Sequence, residues 1–264
     1  MDAGALLEAY DSQLREEGEL AHAQSTRRRP PVWWARFGDR GLVTYRALGG
    51  LEGAALDALI EETVAHFRDE TEVVTFEWKT RGHDAPVDLG RHLTAHGLVA
   101  EPEETVMVGE AAALAVDVSV PAGVTLRRAG EGHDLLADVR RCAAMQEAVF
   151  GRSGGLDAED LAHQIARDPA HLELWLAEAD GRVVSAGRLD VVRGTRFAGL
   201  WGGATLEEWR RRGLYRALTA ARARSALALG VAFLHSDCTP MSRPILQRSG
   251  LVPVTTTTPY VWTR

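Results

Sequence analysis

The stretch "WRRRGLYRAL" sets three consecutive arginines, Arg210, Arg211 and Arg212, directly before Gly213, and an alanine-rich helical segment then runs on to Gly230. A chain that leaves a strand near Thr205 or Leu206 and enters a helix at about Gly213 presents backbone N–H groups with no acceptor inside the helix. Gly213 removes a side chain where backbone would approach a ligand. The helix dipole adds partial positive charge, and Arg210, Arg212 and Arg216 add full charges on the same side. A phosphate diester or pyrophosphate suits this array better than a carboxylate does, because its charge spreads over several oxygens. The competing reading is a solvated basic turn.

Other residues whose types could do chemistry lie close by in sequence. His235 and Asp237 belong to the apolar run "VAFLHSD", and Ser242, Tyr215 and Tyr260 carry hydroxyls that could deliver a proton. For His235 and Asp237 the alternatives are packing at a sheet surface and capping of the following "TPMSRP" turn. Cys142 and Cys238 form neither a CxxC pair nor a disulfide framework, and Cys238 has no fixed histidine partner, so packing is expected of both. His92 and His96 stand four apart, as ligands on a helix can, but the glutamate of HExxH is missing and no third ligand is evident. No metal is expected. The Trp33–Trp34 pair reads as core or interdomain packing and not as a base-stacking platform.

These groups sit in an acidic chain. A formal charge of −7 over 264 residues excludes a general affinity for nucleic acid, so any anion site must be local. Lys79 is the only lysine among the 30 basic residues. The two cysteines fit a reducing cytoplasm. The first twenty residues begin acidic and carry Leu7, Tyr10 and Leu14 at helical spacing, which describes an amphipathic helix and not a signal peptide, and no run is apolar enough to span a bilayer.

The elements needed to position the arginine turn recur in two halves. "VWWARFGDRGLVTYRAL" predicts a hairpin about Gly38 to Gly41, after an arginine-proline linker "RRRPP". Leu56, Leu59, Ile60, Val64 and Phe67 mark a helix face, "VVTFEW" a strand, "DLGRHLTAHG" a helix and "LVAEPEETVMVG" a strand. A boundary falls between residues 110 and 122, where periodicity weakens and Pro121 appears. The second half opens with strand "VTLRRA" and a helix through Leu135, Val139, Ala143 and Val149; Asp157 then caps another helix. Strands "LELWLAEA" and "RVVSAGRLDVV" flank an Asp180-Gly181 turn, and "FAGLWGGATL" leads into the arginines. Strand "VAFLHSD", a short helix "SRPILQRSG" and a last strand or hairpin "LVPVTTTTPYVW" close the chain. Both halves contain L-x-x-x-G-L-V, in "LTAHGLVAE" and "LQRSGLVPV".

"TLEEWRRRGLYRAL", with this element order over residues 123 to 264, resembles the acyl-CoA-binding signature of the GCN5-related N-acetyltransferases, [Q/R]-x-x-G-x-[G/A]. Arg210 fills the first position and Gly213 the fourth, while Tyr215 puts bulk at the sixth. The resemblance implies an α/β protein with a mixed sheet and two such halves packed together: an N-terminal helix (1–27), a degenerate half (28–110), a linker (111–122) and a catalytic half (123–264). The helix after "GGLEG" in the first half carries Glu52, Glu61 and Glu62 and should repel a pyrophosphate.

The resemblance further implies acetyl-CoA as co-substrate. Gly203, Ala204 and Thr205 would line its pantetheine arm as an added strand would, and the amides of Arg211, Arg212, Gly213, Leu214, Tyr215 and Arg216, with the charge of Arg210, would hold its pyrophosphate. The acceptor would be the primary amine of a small molecule or peptide, attacked directly in a ternary complex. A homodimer is compatible with such a protein. The family often uses a tyrosine on the helix after the signature as general acid; Leu246 occupies that position, leaving Ser242, Tyr215 and Asp237 as catalytic candidates. The alternative is a catalytically silent CoA-binding or structural module. ATP binding through the same turn is disfavoured, because no GKS/T or GxGxxG follows a strand.

Overall fold

The computed structural model describes residues 1–151 and 157–264. Backbone contacts divide these into two units that do not follow chain order. The first comprises Met1–Met107, Asp237–Arg243 and Pro253–Arg264; the second comprises Val108–Ser236 and Pro244–Val252.

In the first unit, helix α1 (Ala3–Gln13) starts at Asp2, whose carboxylate accepts from the Ala5 N–H at 2.9 Å. The segment read as a linker is instead strand β1 (Ser25–Arg29), paired antiparallel with β2 (Val32–Phe37). Its exposed arginines conceal the alternation, because one side of an edge strand faces water. β2 turns through Gly38 into β3 (Arg40–Thr44), as the hairpin signal predicts. Helix α2 (Gly53–Asp69) buries Leu56, Leu59, Ile60 and Phe67, the face its periodicity marks. β3 runs parallel to β4 (Thr75–Arg81) from Arg40↔Thr75 to Val43↔Trp78.

Helix α3 (Leu89–Ala95), β5 (Val99–Ala100) and β6 (Glu104–Glu110) follow. The chain's last strand, numbered β12 (Val252–Thr263), pairs antiparallel with β4 from Thr257↔Arg81 to Thr263↔Thr75. It is one long strand and not a hairpin. Trp34, Phe67, Phe76, Trp78 and Leu93 form the core of this unit.

The second unit holds helix α4 (Ala111–Leu114), β7 (Val124–Arg128), α5 (Leu135–Phe150), α6 (Ala158–Arg167), β8 (Leu172–Ala179) and β9 (Arg182–Val191). β10 (Phe197–Thr205), α7 (Leu214–Ala228), β11 (Phe233–Cys238) and α8 (Arg243–Ser249) complete the series. Asp157 caps α6, accepting from Glu159 and Asp160 N–H. Asp180 (φ 50°) and Gly181 (φ 74°) both take left-handed backbone, the pairing a tight right-twisted hairpin requires. β7, β8, β9 and β10 are successive antiparallel neighbours, and β10 then runs parallel to β11. The core gathers Val139, Cys142, Leu174, Leu176, Leu214 and Leu218.

The repeated L-x-x-x-G-L-V motif has one geometry in both places. Gly97 (φ 87°) and Gly250 (φ 110°) end α3 and α8. The Leu98 N–H reaches Leu93 O and the Leu251 N–H reaches Leu246 O, each at 3.1 Å. Each motif is a glycine-terminated helix end closed by a 6→1 bond, with a leucine at both ends of that bond.

A charged cluster fills one end of the first unit. Arg81 donates to Tyr10 Oη (2.9 Å) and to Glu19 Oε1 (2.7 Å), Thr44 donates to Glu19 Oε2, and the Lys79 ammonium lies 3.4 Å from Glu19 Oε1. Burial would raise the Glu19 pKa, but Arg81 and Lys79 outweigh it and hold it at about 2. The unfolded carboxyl titrates near 4.5. The pairing therefore contributes fully above that pH and is lost as pH falls through about 2, a contribution of about 3 kcal/mol. Glu19→Gln is expected to flatten the fall in urea midpoint between pH 5 and pH 2; an unchanged slope would remove Glu19 from the acid response.

Candidate functional site

β10 is the element on which the second unit's site is built. It pairs with β11 only through Phe197↔Phe233, Ala198↔Leu234 and Gly199↔His235. One further link follows, the Ser236 hydroxyl donating to Leu200 O at 2.9 Å. On its other edge β10 stays with β9 as far as Thr205↔Ser185, with a bulge between Trp201 and Ala204. The strands thus part after Gly199, and residues 202 to 205 present an edge that β11 does not pair. Gln146 from α5 fixes the bulge by donating to Gly202 O (2.8 Å), and Ser185 fixes its end by donating to Ala204 O (2.7 Å). Gly202 is left-handed (φ 60°), which suits glycine.

Beyond Thr205 a single turn of 3-10 helix, Glu207–Trp209, brings the chain to the arginines. Arg210 Nε donates to Thr205 O (3.2 Å), and the Arg212 guanidinium lies over the Trp209 ring at 4.8 Å. Arg211 (φ 61°) is left-handed without being glycine, a conformation that costs about 1–3 kcal/mol and clusters at sites that bind. Gly213 (φ 83°) begins α7 with no side-chain cap, and the first i→i−4 bond from it is Ala217 N–H to Gly213 O. Arg210, Arg211, Arg212 and Arg216 are exposed, while Leu214 is buried in the core. The structure thus brings together Gly203, Ala204, Thr205 and residues 210 to 216, at the end of β10 and the start of α7. It adds anchors that no motif signals: Gln146, Ser185 and the buried Arg222, which donates to Arg188 O at 3.0 Å and ties α7 to β9.

Tyr215 turns toward the strand. A Cβ added at Gly203 would lie 2.8 Å from its ring, so glycine at 203 is what admits the tyrosine that replaces glycine or alanine in the signature. Leu246 is buried in α8.

Asp237 and Ser242 belong with the first unit, where Asp237 Oδ2 accepts from Lys79 at 2.9 Å. Ser242 Oγ lies 3.3 Å from Thr239 O, and burial raises the neighbouring Cys238 thiol to about 11. His235 faces Trp201 edge-on at 5.3 Å. His92 and His96 both bond Asp57 Oδ1, at 2.7 and 3.2 Å. Tyr260 packs on the first core.

The first unit carries its own cavity of about 930 Å³ where β3 leads toward α2, lined by Tyr45, Arg46, Gly49, Gly50, Arg28 and Asp84 among others. Glu52 precedes α2 without a capping bond. Two arginines, Arg28 and Arg46, stand here among Glu8, Asp11, Glu16 and Asp84, in contrast with the four exposed arginines about Gly213.

Neither family models nor curated proteins give a match to the chain. Solved structures do. A GCN5-related N-acetyltransferase from Kribbella flavida matches with TM-score 0.65 at 16% identity, over 98% of this chain and 93% of its own. One from Sphaerobacter thermophilus gives 0.62 at 17%, over 88% of this chain and 76% of its own. A tandem GNAT protein from the clavulanic acid biosynthesis pathway gives 0.59 at 16%, over 88% and 78%. The chain has the GCN5-related N-acetyltransferase fold. More particularly, its two units give it the two-half arrangement of that fold.

Proposed function

We propose that the protein is an acetyl-CoA-dependent N-acetyltransferase that acetylates a primary amine of a small molecule or peptide, with its active machinery in the second half. The observation that carries this reading is the parting of β10 from β11 after Gly199, continued into an uncapped, arginine-flanked helix start at Gly213.

The residues present suit acetyl-CoA. The open edge at Gly203, Ala204 and Thr205 can take the pantetheine amides as a strand would. The amides of residues 211 to 216, with Arg210 and Arg216, can take the pyrophosphate. Bound acetyl-CoA supplies a thioester; the neutral amine nitrogen attacks its carbonyl carbon, the C–N bond forms as the C–S bond breaks, the nitrogen gives up one proton as the amide forms, and the CoA thiolate takes one up to leave as the thiol. Alignment alone is worth up to about 7–11 kcal/mol in favourable cases.

Leu246 offers no proton, and Asp237 is engaged by Lys79. Ser242 and Tyr215 remain as hydroxyls. A thiol of pKa near 8.5 leaves without strong assistance. Tyr215→Phe and Ser242→Ala are therefore each expected to lower kcat by less than about tenfold, against the 10²–10⁴ typical of general acid catalysis. A loss beyond a hundredfold in either variant, with CoA affinity intact, would identify that hydroxyl as the acid.

The same Leu246 favours a second reading, a silent CoA-binding module. Incubation with acetyl-CoA and a broad amine panel, followed as thiol release, separates the two. Turnover on any amine supports the enzyme, and tight CoA binding with no turnover supports the module.

A further inference from the structure

Arg188 lies in β9 opposite Trp201 of β10, and Asp190 lies opposite Gly199. Directly paired residues project from the same face of a sheet, so Arg188, Asp190 and Trp201 share one face. Gly199 is also the residue at which β10 last pairs with β11, opposite His235, whose ring meets Trp201. Four polar or aromatic side chains are thus gathered on one face where the strands part.

Among them Arg188 is unlike the unit's other inward arginines. Arg127 forks onto Asp138 at 2.5 and 2.8 Å and also bonds Glu178. Arg222 bonds Leu218 O, Thr219 Oγ1 and Arg188 O. Arg188 is half-buried, yet its Nε is sealed from water with no acceptor and its guanidinium makes no ion pair among the described residues. Burial draws its pKa below the ordinary value, with Asp190 opposing; an arginine stays charged regardless. A shielded polar group without a partner is rare in folded proteins and destabilising, more so when charged. Arg127 shows how such a group is ordinarily satisfied, by a carboxylate.

We propose that Arg188 recognises the acceptor of the acetyl-transfer reaction, and that this acceptor is a small amine bearing a carboxylate. The inference rests on the acetyltransferase reading for the word acceptor and on the geometry alone for the carboxylate. A guanidinium fork meets a carboxylate with two parallel hydrogen bonds. A phosphate fits the fork too, but a second negative charge would face Asp190, whereas a zwitterion sets its carboxylate on Arg188 and its ammonium toward Asp190 before deprotonation.

The test uses amino acids paired with their own carboxamides, glycine with glycinamide and L-alanine with L-alaninamide, followed as thiol release. The carboxylate member is expected to have the higher kcat/KM by at least tenfold, even though the carboxamide's amine loses its proton more readily. In Arg188→Gln that ratio should fall to threefold or less, and Arg188→Lys, which keeps the charge without the fork, should lie between. A wild-type ratio near one, or an unchanged ratio in a folded Arg188→Gln, overturns the proposal; should Arg188→Gln fail to fold, the wild-type ratio and Arg188→Lys decide.

If no amine is acetylated, the acetyltransferase reading falls but the carboxylate site is still judged by calorimetry with CoA present. N-acetylglycine should then bind at least tenfold tighter than N-acetylglycinamide. Equal binding, or none, overturns the proposal.

Discussion

Gly213→Glu is expected to weaken CoA binding at least tenfold, about 1.4 kcal/mol, while Gly53→Glu leaves it within about twofold. The two sites make a fair pair because both glycines are left-handed, with φ of 83° and 52°. An L side chain is strained at either, and for neither would an added Cβ meet a close neighbour. The backbone penalty is therefore shared, and what differs is charge. At 213 the new carboxylate enters among exposed arginines at an uncapped helix start, where it neutralises the field that the anion needs. At 53 it joins Glu52 at the start of α2 in the other half. Equilibrium dialysis of folded variants decides the matter, and equal losses from both would show that the halves share the binding.

Lys79→Met is expected to lower unfolding stability by about 3 kcal/mol. Lys79 is the chain's only lysine, and its ammonium lies between Asp237 (2.9 Å) and Glu19 (3.4 Å). Burial opposes its charge, and Asp237 together with Glu19 holds the pKa above the ordinary lysine value. Glu19 keeps Arg81 when the lysine is lost. Asp237, with a side chain only 6% exposed, loses the 2.9 Å bond from the ammonium, and breaking a buried ion pair by removing one member typically costs about 3–5 kcal/mol. Adding Asp237→Leu to Lys79→Met should restore most of the loss, because removing both charges is far cheaper than removing one. A urea titration showing less than about 1 kcal/mol for the single variant would mean that water already satisfies Asp237.

Much of this was readable where local chemistry decides structure. Asp157 capping α6, the Asp180-Gly181 turn and the left-handed Gly97 and Gly250 each follow from the two or three residues around them. The Gly213 turn was legible for the same reason, since glycine, arginines and a helix start lie within a few positions. What stayed hidden depends on partners far apart in sequence. β1 is exposed on its edge, so its arginines mimic a linker until β2 pairs with it. Lys79 meets Asp237 across 158 positions, and no periodicity encodes that meeting. Tyr215 breaks the signature, and only the proximity of Gly203 explains how it is accommodated. Arg188 is invisible for the opposite reason: in a strand its alternation is ordinary, and it stands out only beside Arg127 and Arg222 of the same unit, whose partners are assigned.

The pairing of β12 with β4 governs how the chain can be born. At the roughly 5–20 residues per second of synthesis, β4 emerges with one ladder unfilled, some 180 residues ahead of the strand that completes it. Until then Thr75–Arg81 is an open template for any extended segment, which is the hazard of an unpaired edge. Closing a loop of some 180 residues between β4 and β12 makes that step slow compared with the hairpins on either side. A truncation that removes residues 252 to 264 deprives the amino-terminal half, and not merely the carboxyl-terminal one, of a strand.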